Sequence, residues 1–126
     1  MQRQIKFRAY NVIAGLWIEN LLFQELNFIY NPSSYIKIMQ YTGLKDKNDV
    51  EIYEGDVVES TLPKSKFFDD IAKVVFRKGS FMMKSVEFED ETSCLIDSEQ
   101  FIEVIGNIYE NEELLDDWAR HRIKNV

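Results

Sequence analysis

The stretch AKVVFRKGSFMMKSVEFE, residues 72–89, decides the fold. Residues 72–77 and 80–89 are two runs rich in β-branched and aromatic side chains, and Lys78-Gly79 between them offers a break in which glycine accepts a positive φ. That pattern is a β-hairpin. On its second arm Val86 and Phe88 alternate with Glu87 and Glu89, which predicts one buried face and one wet face. Toward the N-terminus, residues 61–70 with Pro63 read as a long loop, in which Phe67 and Phe68 are expected to anchor the loop to the core rather than to contact a partner. Before it, Glu54-Gly55-Asp56 forms a tight turn leading into a β-branched strand from Val57.

Further upstream, residues 35–41 predict a strand that ends where Thr42-Gly43 permits a turn, and Lys45-Asp46-Lys47-Asn48-Asp49 lacks any apolar residue, so an exposed turn is expected there. Residues 4–10 alternate strictly. Ile5, Phe7 and Ala9 fall on one side and Lys6, Arg8 and Tyr10 on the other, the signature of a half-buried strand. With residues 16–19 and a connection containing Asn11 and Gly15, this makes an N-terminal hairpin. Residues 20–30 fit helical or extended spacing equally, and residues 31–34 are a breaker cluster around Pro32. Downstream, residues 101–109 predict a strand in which Gly106 marks a bulge or a close backbone approach. Asn111 is placed as the N-cap of a C-terminal helix. Acidic Glu112, Glu113, Asp116 and Asp117 lie early in that helix, basic Arg120, Arg122 and Lys124 lie late, and Leu114, Leu115 and Trp118 form its apolar stripe.

The expected fold is therefore mainly β with minor α: an N-terminal hairpin, a small barrel around residues 55–88 and a C-terminal helix closing one side. The 126 residues suit a single domain over 1–126, with 1–50 and 51–126 as two lobes at most. Hydrophobic residues at 45% and charged residues at 29% exclude a disordered chain. A net charge of −7 repels phosphate backbones overall. Cys94 is the only cysteine, no run of apolar residues is long enough to span a bilayer, and no secretory leader pattern opens the sequence, so a cytoplasmic protein is expected.

Catalytic constellations are not visible. His121 is the single histidine, and its place in the basic last turn of the predicted helix fits a capping role; Arg120 and Arg122 beside it lower its basicity. Cys94 has no identifiable activating partner. One histidine and one cysteine exclude a Cys/His zinc site within one chain, and Glu87, Glu89, Asp90 and Glu91 lack calcium-loop spacing and read as a solvated edge. The glycines match neither phosphate-loop nor dinucleotide spacing, so no cofactor is indicated. Lys37, Lys45, Lys47, Arg77 and Lys78 with Tyr35, Tyr41, Tyr53 and Phe76 define an alternative, a nucleic-acid-binding face on the barrel, against which the net charge weighs. The acidic C-terminal half offers a weaker reading, imitation of a phosphate backbone.

Three segments, IKFRAY at 5–10, MQYTGLKDKNDVEIYEGDVV at 39–58 and EVIGNIYENEELL at 103–115, together resemble the YopX family of small proteins of phages, prophages and related mobile elements, whose function is uncharacterised. The resemblance runs over nearly the whole chain. It maps recurrent family motifs onto Tyr41, Thr42, Gly43 and Leu44, onto Glu54, Gly55 and Asp56, and onto residues 105–111 including Gly106 and Asn107, with no catalytic, cofactor or metal role attached to any of them. The sequence departs from the family pattern at Asp49, where glycine usually follows Asn48, and at Tyr10-Asn11, where Trp-Asp is usual. The family implies a mainly β body with an SH3-like barrel. With no catalytic or metal constellation beside a well-formed core and repeated turn motifs, the expected function is that of a non-enzymatic accessory protein of a mobile element that binds a protein partner or assembles with itself.

Overall fold

In the computed structural model, residues 4–18, 35–60, 71–86, 92–96 and 98–115 are described. Their strands are β1 (Phe7–Asn11), β2 (Leu16–Ile18), β3 (Ile36–Lys45), β4 (Glu51–Tyr53), β5 (Asp56–Ser60), β6 (Ile71–Arg77), β7 (Ser80–Ser85), β8 (Thr92–Cys94) and β9 (Ile102–Asn107). They form two antiparallel sheets, ordered β2-β1-β3-β4 and β8-β7-β6-β5-β9. Short 3-10 turns at Glu99–Phe101 and Glu112–Leu115 are the helical content of these residues.

The deciding hairpin forms, with its second arm ending at Ser85; of the alternation expected over residues 86–89, Val86 lies beyond the strand and Glu87, Phe88 and Glu89 lie outside the described residues. Arg77 faces Ser80 across a two-residue loop in which Lys78 (φ 51°) and Gly79 (φ 84°) both take the left-handed conformation that matches strand twist. Val74 and Met83, opposite each other, are buried, and with Ala72, Val58, Ile102, Leu95 and Ile52 they form the core. Ile52 comes from the first sheet and the others from the second sheet or its β8–β9 connection, so the core lies between the sheets. The N-terminal hairpin is present too: the Asn11 side chain accepts from Ile13 N and Ala14 N at 3.0 and 2.9 Å, and Gly15 takes φ 69°.

Four expectations are corrected. First, no closed barrel forms among the described residues: β8 and β9 end the second sheet without pairing to each other. The outer edge of β9 is already occupied, because Val104 N donates to the Asp46 carboxylate at 2.8 Å and Ile102 O accepts from Lys47 N at 3.1 Å. Second, Thr42-Gly43 does not end a strand. β3 runs on to Lys45 through a bulge opposite Ile52, where Gly43 has φ 86° and Thr42 Oγ1 donates to Ile52 O at 2.7 Å and accepts from Leu44 N at 3.2 Å, replacing ladder bonds lost at the bulge.

Third, the Lys6, Arg8 and Tyr10 side of β1 is not a wet face, because Tyr10 is buried and Arg8 is paired with buried Asp56. Fourth, the Asn111 side chain accepts from Asn107 N at 3.1 Å, turning back onto the end of β9 instead of capping a helix. Glu112–Leu115 is a 3-10 turn, and the rest of the expected C-terminal helix, with Asp116, Asp117, Trp118, Arg120, His121, Arg122 and Lys124, lies outside the described residues. So do residues 20–30 and 31–34, the 61–70 loop with Phe67 and Phe68, and the acidic group Glu87, Glu89, Asp90 and Glu91.

Candidate functional site

Two kinds of site emerge, polar knots that hold the sheets together and an apolar groove that does not. The first knot is Asp46. It was expected on an exposed turn, yet it is buried: Oδ1 accepts from Asn48 N at 2.8 Å and Val50 N at 2.9 Å, and Oδ2 from Val104 N at 2.8 Å. An ionised carboxylate is the side chain that accepts several N–H groups at once. Asp49, at φ 67°, makes the left-handed turn for which glycine is usual.

The second knot joins β1 to the start of β5. The Arg8 guanidinium pairs with Asp56, which is 1% exposed and also accepts from Tyr53 N at 2.7 Å. Arg8 sits over the rings of Tyr53 (4.3 Å to the centroid) and Trp17 (4.8 Å), while Lys6 lies over Tyr41 (4.9 Å) and pairs with Glu51. Tyr10 meets Trp17 edge-on and stacks near Tyr109. Burial raises the Asp56 carboxyl above its ordinary value, outweighing the opposing pull of Arg8 and the Tyr53 N–H. Burial likewise raises the Tyr53 and Tyr109 phenols, and the hydrogen bond to Glu51 raises Lys6.

The third knot is built on Gly106 and Asn107. A Cβ on Gly106 would stand 2.4 Å from Asn111 Oδ1 and 2.9 Å from Leu114 Cδ1, so the chain passes there only without a side chain. Asn107 Oδ1 accepts from Tyr109 N and Glu110 N, each at 2.9 Å. Gly55, at φ 89°, gives its N–H to Val74 O and its carbonyl to Ile108 N, and β5 pairs Asp56 with Asn107. The Glu54-Gly55-Asp56 and Ile105–Asn111 motifs therefore meet in space.

The groove is built by a different set of residues. It has a volume of about 280 Å³ and is lined chiefly by Thr42 and Leu44 of the β3 bulge, Phe76 and Phe81 of the deciding hairpin, and Leu95 and Ile96 beyond β8. Phe76 is 52% exposed and Ile96 63%, and on the N-terminal hairpin Ile13 and Leu16 are exposed as well. Cys94 borders it and is exposed. Sequence reasoning singled out Thr42, Leu44, Phe76 and Cys94 separately. It missed their convergence, which depends on long-range pairing, and it missed Ile96, which carries no local signal.

Of the residues of the expected basic and aromatic face, Tyr35, Phe76, Arg77 and Lys78 are exposed. Tyr41 is buried, Tyr53 lies under Arg8, and Lys45 and Lys47 face Asp49 and Glu103 across the chain's own surface. Among the described residues no group of three or more His, Cys, Asp or Glu side chains is placed to hold a metal ion, and no helix is long and apolar enough to cross a membrane.

Two open antiparallel sheets tied by carboxylate and asparagine knots define a mainly β protein class to which solved structures can be compared. A structure of protein EF1440 from Enterococcus faecalis matches with a TM-score of 0.61 and 27% identity, covering 91% of this chain and all of that one. Protein yopX from Bacillus subtilis matches with a TM-score of 0.51 and 17% identity over 87% of this chain and 95% of that one, a likeness of fold. The YopX protein family model matches residues 11–116, and the chain belongs to that family. No curated protein matches it.

Proposed function

We propose that this is a non-enzymatic accessory protein of a phage or mobile element that acts in the bacterial cytoplasm by binding a protein partner. The observation that carries the reading is the groove, a concave apolar site beside which Phe76 and Ile96 remain accessible. Supporting it, the buried carboxylates Asp46 and Asp56 are engaged in structural contacts with backbone N–H groups and Arg8. Against the nucleic-acid alternative, Tyr41 is buried and Tyr53 lies under Arg8, although Tyr35 is exposed.

The test is a photo-crosslinking amino acid placed at Phe76 and, as control, at Lys37, in host cells carrying the element. One discrete protein adduct at position 76 and none at 37 is expected. Adducts to nucleic acid, or none at either position, would overturn the proposal, and light scattering with DNA and RNA at low salt would then decide for the alternative.

A further inference from the structure

We infer that the turn of the N-terminal hairpin is a membrane-docking tip, which enters the interfacial layer of a lipid bilayer while the sheets stay in water. This goes beyond the groove reading and uses none of the groove's residues.

The side chains of the turn come first. Residues 12–17, Val-Ile-Ala-Gly-Leu-Trp, are exposed one after another, with Ile13 at 78% and Leu16 at 65%. The Trp17 indole N–H is the single hydrogen-bonding side-chain group among these six residues. A continuous exposed apolar run marks a surface that meets something apolar. Protein interfaces fix their register with a polar rim and direct hydrogen bonds, for which this turn has almost no side chains. The acyl boundary of a bilayer asks only for apolar area.

The backbone comes second. An unpaired N–H is costly in lipid, so a turn enters readily only when its donors are satisfied from within. Those of residues 12–15 are. Val12 N donates to Tyr35 O at 3.0 Å, Ile13 N and Ala14 N to Asn11 Oδ1 at 3.0 and 2.9 Å, and Gly15 N to Asn11 O at 2.8 Å. Asn11 thus shields three donors with one residue, and an extended partner adding a strand would find none free in this turn.

The flanks come third. Trp17 lies opposite Tyr10 in the β1–β2 ladder, and Tyr35, 51% exposed, is held beside Val12 by its carbonyl. Rings with an apolar body and a polar edge settle where hydrocarbon meets water, and these two stand at the base of the apolar turn. The Trp17 ring is fixed there by Arg8 over its face and by the edge-on Tyr10 ring, each 4.8 Å away. Strands β1, β2 and β3 contain Arg8, Lys37 and Lys45 and no carboxylate, so in a chain of net charge −7 no acidic side chain of these three strands opposes the approach.

The probe is the full chain mixed with phosphatidylcholine vesicles and floated through a density step, with the emission of Trp17 read in a Trp118→Phe background. Co-flotation that persists at high salt and a blue shift of Trp17 are expected. Ile13→Ser with Leu16→Ser should weaken partition into vesicles at least about ten-fold with the melting temperature unchanged. Ile13→Lys alone, outside the β1–β2 ladder, repeats the test without touching strand pairing. No flotation, flotation reversed by salt, or flotation indifferent to the Ile13 changes would overturn the inference. Dimerisation of the free chain abolished by Ile13→Lys, with no vesicle binding, would overturn it in favour of a second copy. A position-76 crosslink is independent of all these outcomes, so the groove reading and the membrane tip stand or fall separately.

Discussion

The knots and the groove use their residues in opposite ways. At the knots, side chains that could do chemistry are fully committed to structure: Asp46 accepts three backbone N–H groups and Asp56 holds Arg8 against the Tyr53 turn. At the groove, side chains that ought to be structural are left accessible, Phe76 on an extension of the core face and Ile96 beyond β8. The contrast teaches that recurrent family motifs need not mark an active site. Asp56 and Asn107 keep company because β5 pairs with β9, and Gly106 is needed where Asn111 and Leu114 fold back over it, whereas Thr42 and Leu44 of the motif residues border the groove.

Substitutions at the knots should break the fold, and the largest effect is expected at the buried pair. Arg8→Met alone strands the Asp56 carboxylate and should cost about 3–5 kcal/mol in urea unfolding, whereas Arg8→Met with Asp56→Leu should recover most of that loss. Asp46→Ala leaves three N–H groups without their acceptor and should cost about 3 kcal/mol, measured the same way. Gly106→Ala forces Asn111 and Leu114 aside and should cost about 1–3 kcal/mol.

Titration sharpens the same contrast. Asp56 is raised in the fold, so the stability it contributes is complete below its ordinary value of 3.8 and is lost as pH rises through its folded value. Asp56→Asn should flatten that part of the stability curve. Burial also raises the Tyr53 and Tyr109 phenols; the stability they contribute is complete below their ordinary value of 10.0 and is lost as pH rises through their folded values, so the melting temperature should fall in that alkaline range. The smallest effect belongs to the groove, where Ile96→Ser should change stability by no more than about 0.5 kcal/mol.

Local pattern made the β6–β7 hairpin legible, because alternation and Lys78-Gly79 fix both the arms and the register within one short stretch. The N-terminal hairpin and the close approach at Gly106 were legible for the same reason. What was not legible is what crosses between sheets. Asp46 looks like any turn aspartate until β9, nearly sixty residues away, supplies Val104 N, and that contact also closes the edge a barrel would have needed. Alternation placed Arg8 and Tyr10 on the polar side of β1; it could not show that Asp56 and Tyr109 would cover that side. The groove was likewise invisible, since three separate segments build it.

Native-state hydrogen exchange compares the knots with the groove in a single experiment and bears most directly on the claim that the knots carry the fold while the groove rim carries none of it. The amides of Val104, Tyr53 and Ile108, bound to Asp46, Asp56 and Gly55, should exchange only through global unfolding, and that of Ile96 should exchange through small local openings. Exchange of Val104 and Tyr53 as fast as that of Ile96, or protection of Ile96 to the global limit, would contradict the account.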